Sequence, residues 1–109
     1  MSTKSLLYLA ENYFKKKGNR IEHNVIIEGF SGISHYFELS VEKGGEKQLV
    51  SVKDWIKTVG IDTVIKIDKA SEDVNLPNPT IIANKFSDHA KAYANRRKIT
   101  LLTTREIKI

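Results

Sequence analysis

Three residues have the types and spacing to do chemistry together: Glu38, Ser51 and Lys53. They lie in one stretch, Phe30 to Trp55, that reads as two strands joined at Gly44-Gly45. Both central positions of the favoured two-residue hairpin turn need positive φ, which a Gly-Gly pair supplies without strain. Lys43 then pairs with Glu46. Counting back from that pair puts Glu38 opposite Ser51 with Lys53 on the diagonal, within roughly 5 to 8 Å of one another. A carboxylate, a hydroxyl and an ammonium converge, and this stretch is taken as the site.

The elements that position them follow from periodicity. Ile33, His35, Phe37, Leu39 and Val41 alternate with Ser34, Tyr36, Glu38 and Ser40, so this strand is expected to bury the first set. Lys47 to Lys53 is its Val-rich partner, followed by Trp55, whose ring is read as packing rather than base-stacking. Arg20 to Glu28 alternates in the same way, with Ile21, His23, Val25 and Ile27 on one face. Gly29 and Ser31-Gly32 break it into a second hairpin. Ahead of these strands, Ser5 to Lys17 reads as an amphipathic helix with Leu6, Leu9, Ala10 and Tyr13 on its stripe, Glu11 solvated and Gly18 at its end.

After Trp55 the period becomes helical. Ile61, Val64 and Ile65 define one face of a helix running to Val74, with Asp68 and Glu72 set into its apolar stripe. A salt bridge at the edge of the helix–sheet contact would account for them, and so would a role in the site. Leu76-Pro77-Asn78-Pro79 is a rigid loop, Thr80 to Asn84 a short strand buried on both faces, and Ser87 caps a helix to about Arg97 with Ala90, Tyr93 and Ala94 inward. Ile99 to Thr103 is a last strand, and Arg105 to Ile109 is too short to assign. The expected fold is α/β: a central mixed five-stranded sheet, an antiparallel meander followed by parallel strands, flanked by helices in one domain over residues 1–109.

Composition narrows the function classes. With 40% hydrophobic and 28% charged residues the chain should pack a core, and its length is enough to bury about two thirds of the unfolded surface. No cysteine is present, so disulfides, thiol chemistry and cysteine-based zinc sites are excluded and a cytoplasmic setting is expected. Asn and Glu interrupt the apolar residues of the N-terminus, unlike a signal peptide, and no stretch is apolar enough to span a membrane. His23, His35 and His89 lack ligand-like spacing, and the first two fall on inward strand faces, so they read as core histidines. No G-x-S-x-G, Walker A or G-x-G-x-x-G motif occurs. The net charge of +5 favours a polyanionic partner, with Lys15, Lys16 and Lys17 and then Arg96, Arg97 and Lys98 as phosphate-contacting clusters.

The segment Gly29-Phe30-Ser31-Gly32-Ile33-Ser34-His35-Tyr36-Phe37-Glu38-Leu39, followed by Val50-Ser51-Val52-Lys53, resembles the PD-(D/E)XK nuclease superfamily, and within it Mrr-like restriction endonucleases and archaeal Holliday-junction resolvases. The resemblance runs from the first helix to the last strand. It implies a restriction-endonuclease-like fold, DNA as partner, a homodimer as one assembly, and Mg²⁺ or Mn²⁺ held by acidic residues while the lysine orients the attacking water. Carried over, Glu38 stands where the family has Asp, Ser51 where it has Glu or Gln, and Lys53 where it has Lys. Glu moves the carboxylate out by one methylene, and a hydroxyl lacks the charge of an anionic Mg²⁺ ligand. Some restriction enzymes of the superfamily have Ser-x-Lys and supply the missing carboxylate from the following helix. Asp68 is the residue placed to do so, making Glu38 and Asp68 the implied metal ligands, with Glu72 second. Two functions are therefore expected in competition: a metal-dependent endonuclease using Glu38, Ser51, Lys53 and Asp68, and an inactive nuclease-fold module that binds DNA or protein. A small-molecule or structural subunit is the third class.

Overall fold

Ser5 opens the first helix by accepting the Tyr8 N–H on its hydroxyl at 3.2 Å. The computed structural model describes residues 5–108. Helix α1 (Leu6–Lys16) buries Leu6 and Ala10 of the expected stripe together with Phe14, while Leu9 and Tyr13 are only partly buried. It ends at Gly18, whose φ of 89° lets the Asn19 N–H turn back to the Phe14 carbonyl at 3.0 Å. Three antiparallel strands follow, β1 (Arg20–Glu28), β2 (Ser34–Lys43) and β3 (Glu46–Lys53). Gly44 and Gly45 both take positive φ and pair Lys43 with Glu46, as the hairpin reading requires.

Beyond β3 the chain crosses over twice. Helix α2 (Ile61–Asp73) leads to β4 (Thr80–Ala83), and α3 (Asp88–Arg97) to β5 (Thr100–Thr103), both strands parallel to β3. The five strands lie side by side in chain order. A short helix, α4 (Thr104–Ile107), occupies the segment the sequence left unassigned. Thr103 and Glu106 form a reciprocal capping box at its start, and Ile107 anchors it in the core. Among the described residues no helix is long and apolar enough to cross a membrane.

Alternation along the strands separates two apolar layers. Leu49, Ile81 and Ala83 pack with α2 and α3, while Val50, Val52 and Ile82 pack with α1 and α4. β4 is buried along its whole length, which is why its sequence is apolar without alternation.

The long β1–β2 hairpin departs from the expected single inward face. Leu39 and Val41 lie in the α1 layer, but Phe37 lies in the α2 layer, and Ile21 and Ile27 of β1 divide in the same way. The change falls at Asn24 and Glu38, the pair absent from an otherwise continuous β1–β2 register. Asn24 adopts a left-handed φ of 51°, which an Asn tolerates because its short side chain bonds locally. Its amide oxygen accepts the Tyr36 hydroxyl at 2.7 Å. One left-handed residue rotates the strand, and the inward set changes sides.

Candidate active site and basic surface

The β2–β3 ladder keeps the predicted register from Lys43↔Glu46 to Leu39↔Val50 and stops one step short of Glu38 and Ser51. There β2 parts from β3, which continues on its other side along β4 as far as Lys53↔Ala83. Glu38 fills the gap: its Oε1 accepts the Val52 N–H at 2.9 Å, replacing a strand partner for that donor. Ser51 is 3% exposed, between the layers and beside Ile81. Lys53 lies with its Nζ 5.7 Å from the centre of the Trp55 ring, and Lys57, which sequence reasoning passed over, with its Nζ at 4.9 Å. Trp55 packs against the core as expected and also gathers two ammonium groups by cation–π attraction. Lys53 forms no ion pair among the described residues. Glu38 is thus held on the β3 backbone between Ser51 and Lys53, while the lysine rests on the indole.

Asp68 is engaged elsewhere. It is 3% exposed at the α2–α3 contact, where its Oδ2 accepts the Tyr93 hydroxyl at 2.7 Å and the Arg97 Nε at 2.9 Å. Arg97 also reaches Glu72. The bond to Asp68, aided by burial, pushes the Tyr93 hydroxyl above its ordinary pKa, and the same carboxylate raises that of Arg97. The carboxylates on the apolar stripe of α2 are thus salt-bridged, as one reading of the sequence had it, but between two helices rather than at the edge of the helix–sheet contact. A Mg²⁺ site asks for several oxygen ligands in near-octahedral order. The donors here fit poorly: Glu38 is bonded by a backbone N–H, Asp68 by Tyr93 and Arg97, and no three His, Asp or Glu residues among those described form a ligand group.

The two basic clusters end up apart. Lys15 and Lys16 close α1, with Lys17 beyond them over the Tyr13 ring at 4.9 Å. Arg96 and Arg97 close α3, with Lys98 at its C-cap in a left-handed conformation. Helix α1 packs in the layer of Val50 and α3 in the layer of Leu49, so the sheet stands between the clusters. Both lie at the end of the sheet where β3 begins, away from Lys53, because each helix runs back toward the start of the strand that follows it. Arg97 is spent on Asp68 and Glu72, and the other five cations of the clusters are solvent-exposed.

Asp73 was missed altogether. At the C-terminal end of α2 it clasps the β1–β2 turn: Oδ1 accepts the Ser31 N–H at 3.0 Å, and Oδ2 takes the Ser31 hydroxyl at 2.6 Å and meets His35 Nε2 at 2.8 Å. Its carbonyl accepts the Phe30 N–H at 2.9 Å. A Cβ on Gly29 would stand 2.0 Å from Asp73 Oδ2, so a larger residue there would have to push the carboxylate out of its clasp. The bonds from Ser31 and then His35 hold the Asp73 carboxyl below its ordinary value of 3.8. His35 is thus half-buried and bonded, not a packed core residue. His23, also expected inside, is exposed and bonded to Glu11, which the sequence had placed free in solvent. His35 follows the change of face to the α2 side, where Asp73 meets it, whereas His23 keeps the Ile21 face toward α1, bonds Glu11 there and stays exposed on the edge strand of the sheet.

The chain matches, over residues 1–108, the family model described as restriction endonuclease (Mrr_cat). Two crystal structures share its fold. Protein AF1548, described as of unknown function, superposes with a TM-score of 0.80 at 22% identity over 89% of this chain and 58% of that one. Protein VC1899 from Vibrio cholerae gives 0.69 at 11% identity over 94% of this chain and 29% of that one. The chain therefore spans well under two thirds of the length of either. No curated protein matches it. The order of its strands, the parting of β2 from β3 at Glu38 and the match along nearly the whole chain agree, and the chain belongs to the Mrr-type restriction endonuclease family, with the PD-(D/E)XK nuclease-like fold.

Proposed function

We propose that this chain is a nuclease-fold module that binds DNA without cutting it. The observation that carries the reading is the engagement of the Glu38 carboxylate, whose Oε1 serves the Val52 N–H. Three further features support it. Ser51 offers a buried hydroxyl where the family pattern has a charged or amide ligand, Asp68 is bonded into the α2–α3 contact, and the formal charge of +5 suits a phosphate backbone. Exposed Lys15, Lys16, Arg96 and Lys98 are assigned as phosphate contacts, joined by Lys53 and Lys57 on Trp55. The competing reading, a Mg²⁺- or Mn²⁺-dependent endonuclease, draws on Glu38 and Lys53 standing at the family's acidic and lysine positions.

One experiment separates them. Duplex, single-stranded and branched DNA are titrated at several salt concentrations and incubated with Mg²⁺ or Mn²⁺, using wild type and Lys53→Ala. The expected result is binding that weakens steeply with salt and leaves every substrate intact. Cleavage by wild type that disappears in Lys53→Ala would establish the enzyme instead. Absence of salt-sensitive binding would remove both.

A further inference from the structure

A cleft of about 590 Å³ opens beyond the ends of β3 and β4, between the starts of α2 and α3. Open α/β sheets bind ligands outside the carboxyl ends of their strands, and small-molecule sites measure roughly 300–1,000 Å³. Trp55, Lys57, Asp62, Asp88 and His89 line it. The Trp55 ring packs on the core and still reaches the cleft, and His89, read from the sequence as a core histidine, is exposed. Ile56, between the first two lining residues, is 103% exposed. The loop that presents it is pinned on both sides. Asp54 Oδ2 accepts the Leu6 N–H at 3.2 Å, and the Trp55 carbonyl accepts Asn84 Nδ2 at 2.7 Å. Further along, the Val59 N–H donates to the Lys85 carbonyl at 2.8 Å and the Val59 carbonyl accepts the Ser87 N–H at 3.0 Å. An apolar side chain is thus held out in water on a fixed loop beside an aromatic cleft, the arrangement of a preorganised contact.

We propose that this cleft receives an unpaired nucleotide of a DNA strand, its base stacked on Trp55, its flanking phosphates on Lys53 and Lys57, and Ile56 against the neighbouring base step. The proposal rests on the DNA-binding reading and names the form of DNA favoured. The mixed lining selects a base over a bare anion. Asp62 and Asp88 repel a free phosphate, whereas carboxylates accept the amino N–H groups that base edges carry. Lys53 and Lys57 rest on the indole and form no ion pair among the described residues. A phosphate offers each ammonium a stronger partner than an aromatic face, and as the lysines turn to it the ring is uncovered for stacking. A paired base is out of reach inside the duplex, so an unpaired one is favoured, and an apolar side chain beside it can lean on the exposed step.

Trp55 is the single tryptophan of the chain, so its emission reports on the cleft. A fully paired duplex and the same duplex with a single-nucleotide bulge are titrated at several salt concentrations without divalent metal, following DNA anisotropy and tryptophan emission. Both should bind in a salt-sensitive way, the bulged duplex about tenfold tighter. The bulged duplex alone should quench the emission strongly. Two variants change the cleft at positions free of packing. Ile56→Ser removes a fully exposed side chain, and Gly60→Leu adds bulk at a lining position in extended backbone where a Cβ meets nothing within 4 Å. Each should lose most of the preference for the bulge. Equal affinity or equal emission changes with the two duplexes overturn the proposal while leaving the DNA-binding reading in place. A preference retained in either variant does the same, and so does equal quenching by a free deoxynucleoside monophosphate at the same concentration. Absence of salt-sensitive binding to both duplexes removes the DNA-binding reading and the proposal with it.

Discussion

Glu38 has two readings that one pair of substitutions separates. As a hydrogen-bond acceptor for Val52 N–H it needs an oxygen at that position, and as a metal ligand it needs a charge. Glu38→Gln keeps the oxygen and should leave stability within a few tenths of a kcal/mol of wild type. Glu38→Ala strands a backbone donor in the gap between β2 and β3 and should cost about 1–2 kcal/mol in denaturant unfolding. Equal losses in both variants would show that the charge matters at this position. The sequence brought Glu38 to within a step of the right place, because Gly44-Gly45 determines the register by local geometry. That the strands part there is not a local property. It coincides with the change of face at Asn24 and Glu38, where the β1–β2 hairpin turns away from the sheet and takes Phe37 to the α2 layer.

At the scale of elements, the clasp between the C-terminal end of α2 and the β1–β2 turn carries a pH signature. The Asp73 carboxyl is held below its ordinary value of 3.8 by the Ser31 hydroxyl and His35. A carboxyl depressed in the folded state contributes stability that is fully present above its unfolded value and is lost as pH falls through the folded one. Thermal unfolding should therefore show wild type losing stability on acidification below about pH 4, the range in which unfolded carboxyls titrate. Asp73→Asn should start less stable and be flatter across that window. Matching slopes in the two proteins would show that the clasp has no electrostatic part. Sequence reading recognised Gly29 and Ser31-Gly32 as turn residues and the helix after Trp55. It had no means of bringing together Ser31 and Asp73, which lie forty-two positions apart.

For the whole molecule, the sheet is what gives the rest its place. Leu49 is fully buried in the layer covered by α2 and α3. Leu49→Ala should cost about 2–5 kcal/mol by chemical denaturation, since the removed side chain leaves a cavity between sheet and helices that can collapse only in part. A loss below 1 kcal/mol would mean that this layer repacks freely. What the sequence by itself determined is what depends on near neighbours: the 3.6- and 2-residue periods, the Gly-Gly turn, the Ser5 and Ser87 caps and hence the order of strands and helices. What only the tertiary structure decided is where polar groups end up. The rotation at Asn24 moved Phe37 to the α2 layer, Asp68 went to Tyr93 and Arg97, and the basic clusters were set on opposite sides of the sheet. A charged side chain takes its position from whichever partner can satisfy it once desolvated, and those partners come from distant parts of the chain that only packing brings near.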